Sequence, residues 1–139
     1  MSKRFSESAY AYGKRKEIEY LPVLENFFGE KIRPAEDETC EYDFIGESGR
    51  KYELKSSPKY SFKPYVPVID QQKVKSNKKH QTTFVFAFVN PEELYYIEYD
   101  NDLFFNKFKW ETLGLDRGYI NEIVRIPHEY LKPIPMLKH

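Results

Sequence analysis

Cysteine and histidine are scarce in this chain and a long apolar run is missing, and each shortage removes a class of protein. Cys40 is the only cysteine among 139 residues, which excludes an internal disulfide and any multi-cysteine zinc site and fits a reducing compartment. The three histidines, His80, His128 and His139, show no ligand spacing, so a zinc enzyme is not expected. No apolar stretch approaches the roughly 18 residues of a membrane span. The basic start, Met1-Ser2-Lys3-Arg4-Phe5, leads into no apolar signal-peptide core. An intracellular protein is therefore the expectation. Net charge is absent too, since 22 Lys/Arg balance 22 Asp/Glu.

Aromatics, by contrast, are plentiful, with 12 Tyr and 11 Phe. The chain is long enough to bury a core and is read as one domain, 1–139. The charge balance also hides a split. From Arg50 to His80, nine Lys/Arg face two acids, a local charge of +7, whereas Asn90 to Glu122 carries −5. A basic tract of this kind suits a polyanion, because phosphate contacts dominate non-specific nucleic-acid affinity. It is equally what a solvated lysine-rich helix and loop look like.

The stretch that organises the rest runs from Glu41 to Lys55. It reads as two short strands folded back across Gly46-Glu47-Ser48-Gly49, a turn with glycine enough to supply positive φ. Strand alternation puts Glu53 and Lys55 on one face and Tyr52 and Leu54 on the other. Asp43 opposes Tyr42 and Phe44 in the same way. With both apolar pairs facing the core, Asp43, Glu53 and Lys55 gather on one side. Two carboxylates hold a hard divalent cation through oxygen, and an adjacent ammonium orients a water or stabilises developing negative charge. This is the outline of a hydrolytic site. A surface hairpin with one Asp43–Lys55 contact, worth well under about 1 kcal/mol, is the plain alternative.

Before the hairpin, a helix is predicted from Ser6 or Ser8 to Phe28, stopped by Gly29. Its apolar stripe is Tyr10, Leu21, Leu24 and Phe28 with Ile18 alongside and Glu17 at its edge, and Pro22 should kink or divide it. Glu17 either reaches a cation, directly or through water, or is a rim glutamate paired with a lysine. Residues 30 to 37 read as a connection or a short edge strand. After the hairpin, Ser56 to Pro67 reads as an ordered loop in which Tyr60, Phe62 and Tyr65 alternate with Lys59 and Lys63. Such aromatics stack on bases or, more commonly, pin a loop to the core.

A second helix is predicted over Val68 to His80, with Asp70 near its start and basic residues at its end. Lys73, Lys75, Lys78 and Lys79 are placed on its outer face, and Gln71 and Gln72 in its first turn, where an amide can touch a phosphate or a metal-bound water. Thr82 to Val89 is the clearest strand, apolar enough to be covered on both faces. Further strands are expected over Glu93 to Tyr99 and 119 to 126, with a helix or irregular cover over Asn101 to Thr112. Pro127 onward is read as a tail with one short turn.

The order helix, hairpin with Asp43 then Glu53-Leu54-Lys55, basic helix, apolar strand resembles the PD-(D/E)xK nuclease superfamily over roughly residues 6 to 90, leaving 91–139 as a variable part. An acidic-x-Lys triplet alone is a poor signal, but this one is unique in the chain and in phase with Asp43. Tyr42 stands where the family name has proline, a loose position in the superfamily. The resemblance implies an α/β restriction-endonuclease-like core, a mixed central sheet flanked by helices. It implies Mg²⁺-dependent phosphodiester hydrolysis, with Mn²⁺ able to substitute. Asp43 and Glu53 would be metal ligands, the Leu54 carbonyl a further one, and Glu17 the acid that many members carry on the preceding helix. Lys55 would position or help deprotonate the attacking water. A DNA endonuclease acting as a homodimer or higher homo-oligomer is the expectation. An RNA endonuclease or a non-catalytic nucleic-acid-binding protein on the same fold are the alternatives.

Overall fold

Ser8 opens the first helix, α1 (Ala9–Phe28), by accepting a hydrogen bond from the Ala11 amide at 3.1 Å. Gly29 ends it in the left-handed conformation, φ 71°, donating its amide to the Glu25 carbonyl. The molecule is a computed structural model in which residues 8–36, 40–56, 62–89, 91–114 and 120–136 are described; Ser6, Lys59 and Tyr60 lie outside them. The helix is not divided at Pro22 as expected. Proline removes the donor to the Ile18 carbonyl, but Ile18 and Pro22 are both exposed, so the gap falls on the solvent side of the helix.

The stripe of α1 is also turned from the expected one. Tyr12, Lys16, Tyr20 and Leu24 are buried, while Tyr10 and Ile18 are 63% and 77% exposed. Tyrosine and lysine bury their apolar bodies as long as their polar tips are satisfied. Here the Lys16 ammonium meets Glu19 at 3.1 Å and Glu92 at 3.3 Å, and the Tyr20 hydroxyl donates to Glu92. The partner that makes this stripe possible is 72 residues away from Tyr20 in sequence, out of reach of helical periodicity.

Strands β1 (Ile32–Pro34), β2 (Phe44–Gly46) and β3 (Lys51–Ser56) form an antiparallel meander, with Pro34 on the outermost strand. The β2–β3 turn uses glycine as anticipated: Gly49 has φ 93°. β4 (Val68–Asp70) and α2 (Gln71–Asn77) then carry the chain over to β5 (Thr83–Phe88), which lies parallel to β3. β6 (Glu93–Glu98) returns antiparallel to β5, and β9 (Lys132–Ile134) closes the far edge, giving the order β1-β2-β3-β5-β6-β9. A second sheet has the order β4-β8-β7, with β7 (Lys109–Gly114) and β8 (Ile120–Arg125). The architecture is α/β with a mixed central sheet, as expected.

Three of the expected elements take another form. Val68–Asp70 is strand, not helix, because Asp70 is itself the cap, accepting the Gln72 amide at 2.7 Å, and a helix cannot start before its cap. The Asn101–Thr112 region is a helical turn through Lys107 and then β7, where apolar Phe108 and Trp110 alternate with polar Lys109 and Glu111. The C-terminal region is no mere tail: β9 pairs Ile134 with Leu94 on an open sheet edge.

Alternation on β5 separates two cores. Val85 and Ala87 pack with Tyr52, Leu54, Phe44 and α1's Tyr20 and Leu24, whereas Phe84, Phe86 and Phe88 pack with Val74 of α2 and Val124 of β8. All six residues of β5 are buried, as expected for a central strand. Tyr42 does not join the Phe44 core; it packs edge-on against His80, with ring centroids 5.0 Å apart.

Candidate active site

The site lies where β2 and β3 part. Their last pair is Phe44 with Tyr52, after which the Asp43 amide donates to the Tyr52 carbonyl at 2.8 Å. Tyr52 and Leu54 turn their peptide groups to the same strand edge. There the Leu54 amide finds a carboxylate in place of a strand, donating to Asp43 Oδ2 at 2.8 Å. By strand geometry the Leu54 carbonyl points to this same edge, beyond the last β2 pair. α2 holds the chain leading into Asp43 from the side. Asn77, fully buried, donates to the Glu41 carbonyl at 2.9 Å and accepts from the Thr82 hydroxyl at 2.7 Å.

Glu53 and Lys55 stand opposite Phe84 and Phe86 of β5, so both project from the sheet face away from α1's core. They line a cavity of about 240 Å³ with Ser56, Asp70 and Lys73, and Gly13 of α1 opens part of its wall. Glu53 is paired with Lys73 at 3.1 Å through Oε2, while its Oε1 is buried without a hydrogen-bond partner. The Lys55 ammonium donates to the Val68 carbonyl, so a neutral acceptor holds it.

Three acids are electrostatically linked here. Burial raises the Glu53 carboxyl above its usual range, and the negative charges of Asp43 and Glu17 raise it further against the pull of Lys73. Burial likewise raises Asp43, opposed by its bond from the Leu54 amide and by Lys73 and Lys14. Glu17 is pushed up to about 7 by burial and then by Asp43. Burial lowers Lys55 from the ordinary lysine range, opposed by Asp70. A set of acids raised by burial and by one another, beside a lowered lysine in a cleft, is a recognised mark of a functional site.

Does this arrangement suit a divalent cation? Among the described residues no three His, Cys, Asp and Glu side chains gather closely enough to hold an ion together. Glu17 is thus a neighbour of the Asp43–Glu53 pair and not a third member of one ligand set; its close contact is Lys14 at 3.7 Å. Mg²⁺, however, is held by one or two carboxylates with waters and substrate phosphates completing its shell. The unpartnered Glu53 oxygen, the Asp43 carboxylate and the Leu54 carbonyl on the same strand edge fit that requirement.

The basic residues are distributed differently from the expected outer face. At 100° per residue, Lys73 points roughly opposite to Lys75, Lys78 and Lys79. Lys73 therefore enters the cavity, while Lys75 lies over the Trp110 ring at 5.7 Å, Lys78 over Phe105 at 5.0 Å, and Lys79 meets Glu41 at 3.2 Å. Lys63 is exposed and paired with Glu93 at 3.2 Å. Gln72 is exposed, but Gln71 is buried and donates to the Ile123 and Glu111 carbonyls at 3.1 and 3.3 Å, tying α2 to the second sheet. Its amide group is used inside the fold.

Asp70, which faces Lys55, and Ser56, which lines the cavity, were not singled out from sequence. Asp70 carried only the signal of an acid near a helix start, and Ser56 carried none. No helix among the described residues is long and apolar enough to cross a membrane. Compared with known proteins, the chain matches no family model, no curated protein and no solved structure.

Proposed function

We propose that the protein is a divalent-cation-dependent endonuclease, acting on DNA, with a restriction-endonuclease-like core formed by α1, the β1–β3 meander, α2 and β5. One observation carries the proposal: at the parting of β2 and β3, Asp43 is fixed on the Leu54 amide and Glu53 holds a buried oxygen with no partner, with Lys55 two residues on in the same cavity. A carboxyl oxygen buried without a hydrogen-bond partner is costly, so its retention makes sense where a cation arrives to use it.

Asp43, Glu53 and the Leu54 carbonyl would hold Mg²⁺ or Mn²⁺, which when bound neutralises the non-bridging phosphate oxygens and lowers the pKa of the attacking water. Lys55, lowered by burial and held only by a carbonyl, is suited to orient that water and to exchange a proton at Nζ. Lys73, paired with Glu53 at 3.1 Å, holds that carboxylate in place and offsets part of its charge. Glu17 contributes negative potential around the pair. Cutting both strands of a duplex calls for two copies of so small a single-site domain, and a symmetric dimer is the default assembly.

The test is a plasmid-nicking assay with Mg²⁺ and an EDTA control, run beside an RNA of matched sequence. Nicking that EDTA abolishes is expected; binding without cleavage under any divalent cation would leave a non-catalytic binder instead. A second measurement locates the phosphate path. Replacing Lys75, Lys78 and Lys79 by Gln is expected to reduce the slope of log affinity against log salt by roughly 0.7–0.9 for each phosphate that is no longer neutralised. An unchanged slope would put the nucleic acid on another face.

A further inference from the structure

Asp43 stands just outside β2, on a stretch, residues 40–43, that bends instead of continuing the strand. A ligand on irregular backbone keeps its place only if the chain before it is held by something other than a ladder. Here α2 does the holding. Asn77 Nδ2 donates to the Glu41 carbonyl and to the Lys73 carbonyl, both at 2.9 Å, and Asn77 Oδ1 accepts from the Thr82 hydroxyl at 2.7 Å. The Glu41 carboxylate also meets Lys79 at 3.2 Å and His80 at 2.9 Å. That carboxylate is partly exposed and Lys79 largely so, and ion pairs in contact with water contribute little. The buried amide is the firmer tie.

The chemistry of the position is narrow. Both neighbours of Nδ2 are carbonyls, which only accept, so the amide sits in one orientation with both donors used. Ionised aspartate has nearly the same shape and offers no donor, and alanine offers nothing. Behind the amide, Thr82 is fully buried and its carbonyl accepts the Tyr99 amide at 3.0 Å, so Asn77 leans on the start of β5. Lys73 lies one helical turn before Asn77 on α2 and pairs with Glu53 at 3.1 Å. A single turn of helix therefore holds both strands of the site, one through the Glu41 backbone and one through the Glu53 side chain. Fully satisfied buried networks of this kind make a site rigid.

We propose that Asn77 is a positioning residue for the cation site: through the Glu41 carbonyl it sets where the Asp43 carboxylate stands relative to Glu53. The proposal rests on the nuclease function above and adds a residue that touches neither cation nor substrate. Without Asn77, residues 40–42 lose their buried tie to α2, and Asp43 is free to leave the Leu54 amide, which it now meets at 2.8 Å. The cation then finds one carboxylate fixed by Lys73 and the other unfixed. Affinity for the cation falls, and a high cation concentration restores the rate.

The test compares Asn77→Ala with Val74→Ala, which empties part of the same buried face of α2 without touching the Glu41 carbonyl. Both variants are expected to melt below the wild type. In metal-free protein the Leu54 amide resonance, shifted downfield by its bond to a carboxylate, is expected to move upfield in Asn77→Ala and to stay in place in Val74→Ala. The Mg²⁺ concentration that half-saturates both the thermal shift and the cleavage rate is expected to rise about tenfold or more in Asn77→Ala alone, the scale for groups that stand behind metal ligands. The rate at saturating Mg²⁺ should largely recover. Should Asn77→Ala not fold, Asn77→Asp keeps the volume and the Thr82 bond, removes both donors, and carries the same expectations. An unmoved Leu54 amide with an unchanged Mg²⁺ midpoint, or the same changes in Val74→Ala, would overturn the role of Asn77 and leave the nuclease standing. A wild type that responds to no divalent cation would overturn the nuclease proposal and this role with it.

Discussion

Lys55→Ala is expected to lower metal-dependent cleavage by about 10²–10⁴-fold, the usual contribution of a positioned proton-transfer group, while nucleic-acid binding largely survives. The cavity contains two ammonium groups, and their surroundings separate their roles. Lys73 is paired with the Glu53 carboxylate at 3.1 Å and so remains a fixed positive charge. Lys55 meets a backbone carbonyl and has its proton affinity reduced by burial, which frees it to serve a water. Lys73→Ala is therefore expected to be milder in kcat and to act mainly through cation affinity. Single-turnover cleavage rates measured over a Mg²⁺ titration distinguish the two. If Lys55→Ala cuts as fast as wild type, or if the loss falls on Lys73→Ala alone, the assignment of Lys55 is wrong.

Glu53→Gln should abolish cleavage and, unlike most buried substitutions, stabilise the metal-free protein above neutral pH. The sign follows from the raised carboxyls. Between the ordinary range near 4.5 and about 7, the value Glu17 reaches, the folded chain holds protons that the unfolded chain has released. Stability then falls as pH rises across that window. Burial and the Asp43 and Glu17 charges place Glu53 in the same situation. A neutral amide at position 53 removes the repulsion, and Lys73, half-exposed without its partner, is resolvated. The gain at pH 8 is expected on the order of 1–2 kcal/mol, given that a tenfold change in proton affinity is worth about 1.4 kcal/mol and that water screens part of it.

Mg²⁺ at about a hundred times its dissociation constant should add roughly 2.7 kcal/mol to the wild type and much less to the variant. Thermal melts from about pH 4.5 to 8.5, with and without Mg²⁺, read both effects. A wild-type melting temperature that climbs with pH through this window would contradict the raised carboxyls.

Much of this site was legible in the residues themselves. The Gly46–Gly49 turn and the alternation of Tyr52, Glu53, Leu54 and Lys55 needed only strand geometry, and β3 bears out the alternation. The apolar run at Thr82–Val89 announced a central strand in the same local way. What escaped depended on partners distant in sequence. The buried stripe of α1 follows Lys16 and Tyr20 because Glu92 waits for them across the fold. β9 exists because β6 offers it an edge. Lys73 appeared to be one of four equivalent surface lysines until packing on Phe84 and Phe86 turned its side of α2 towards Glu53.

The hairpin thus owed to its sequence the identity of its charged groups and the face that Glu53 and Lys55 share, both set by a two-residue period. Tertiary structure alone decided that Asp43 caps the Leu54 amide, that Lys73 and not Lys55 pairs with Glu53, and that one Glu53 oxygen is buried without a hydrogen-bond partner. The physical reason is range. Alternation and capping act over a few residues, whereas the proton affinity and pairing of a buried charge depend on every element packed around it.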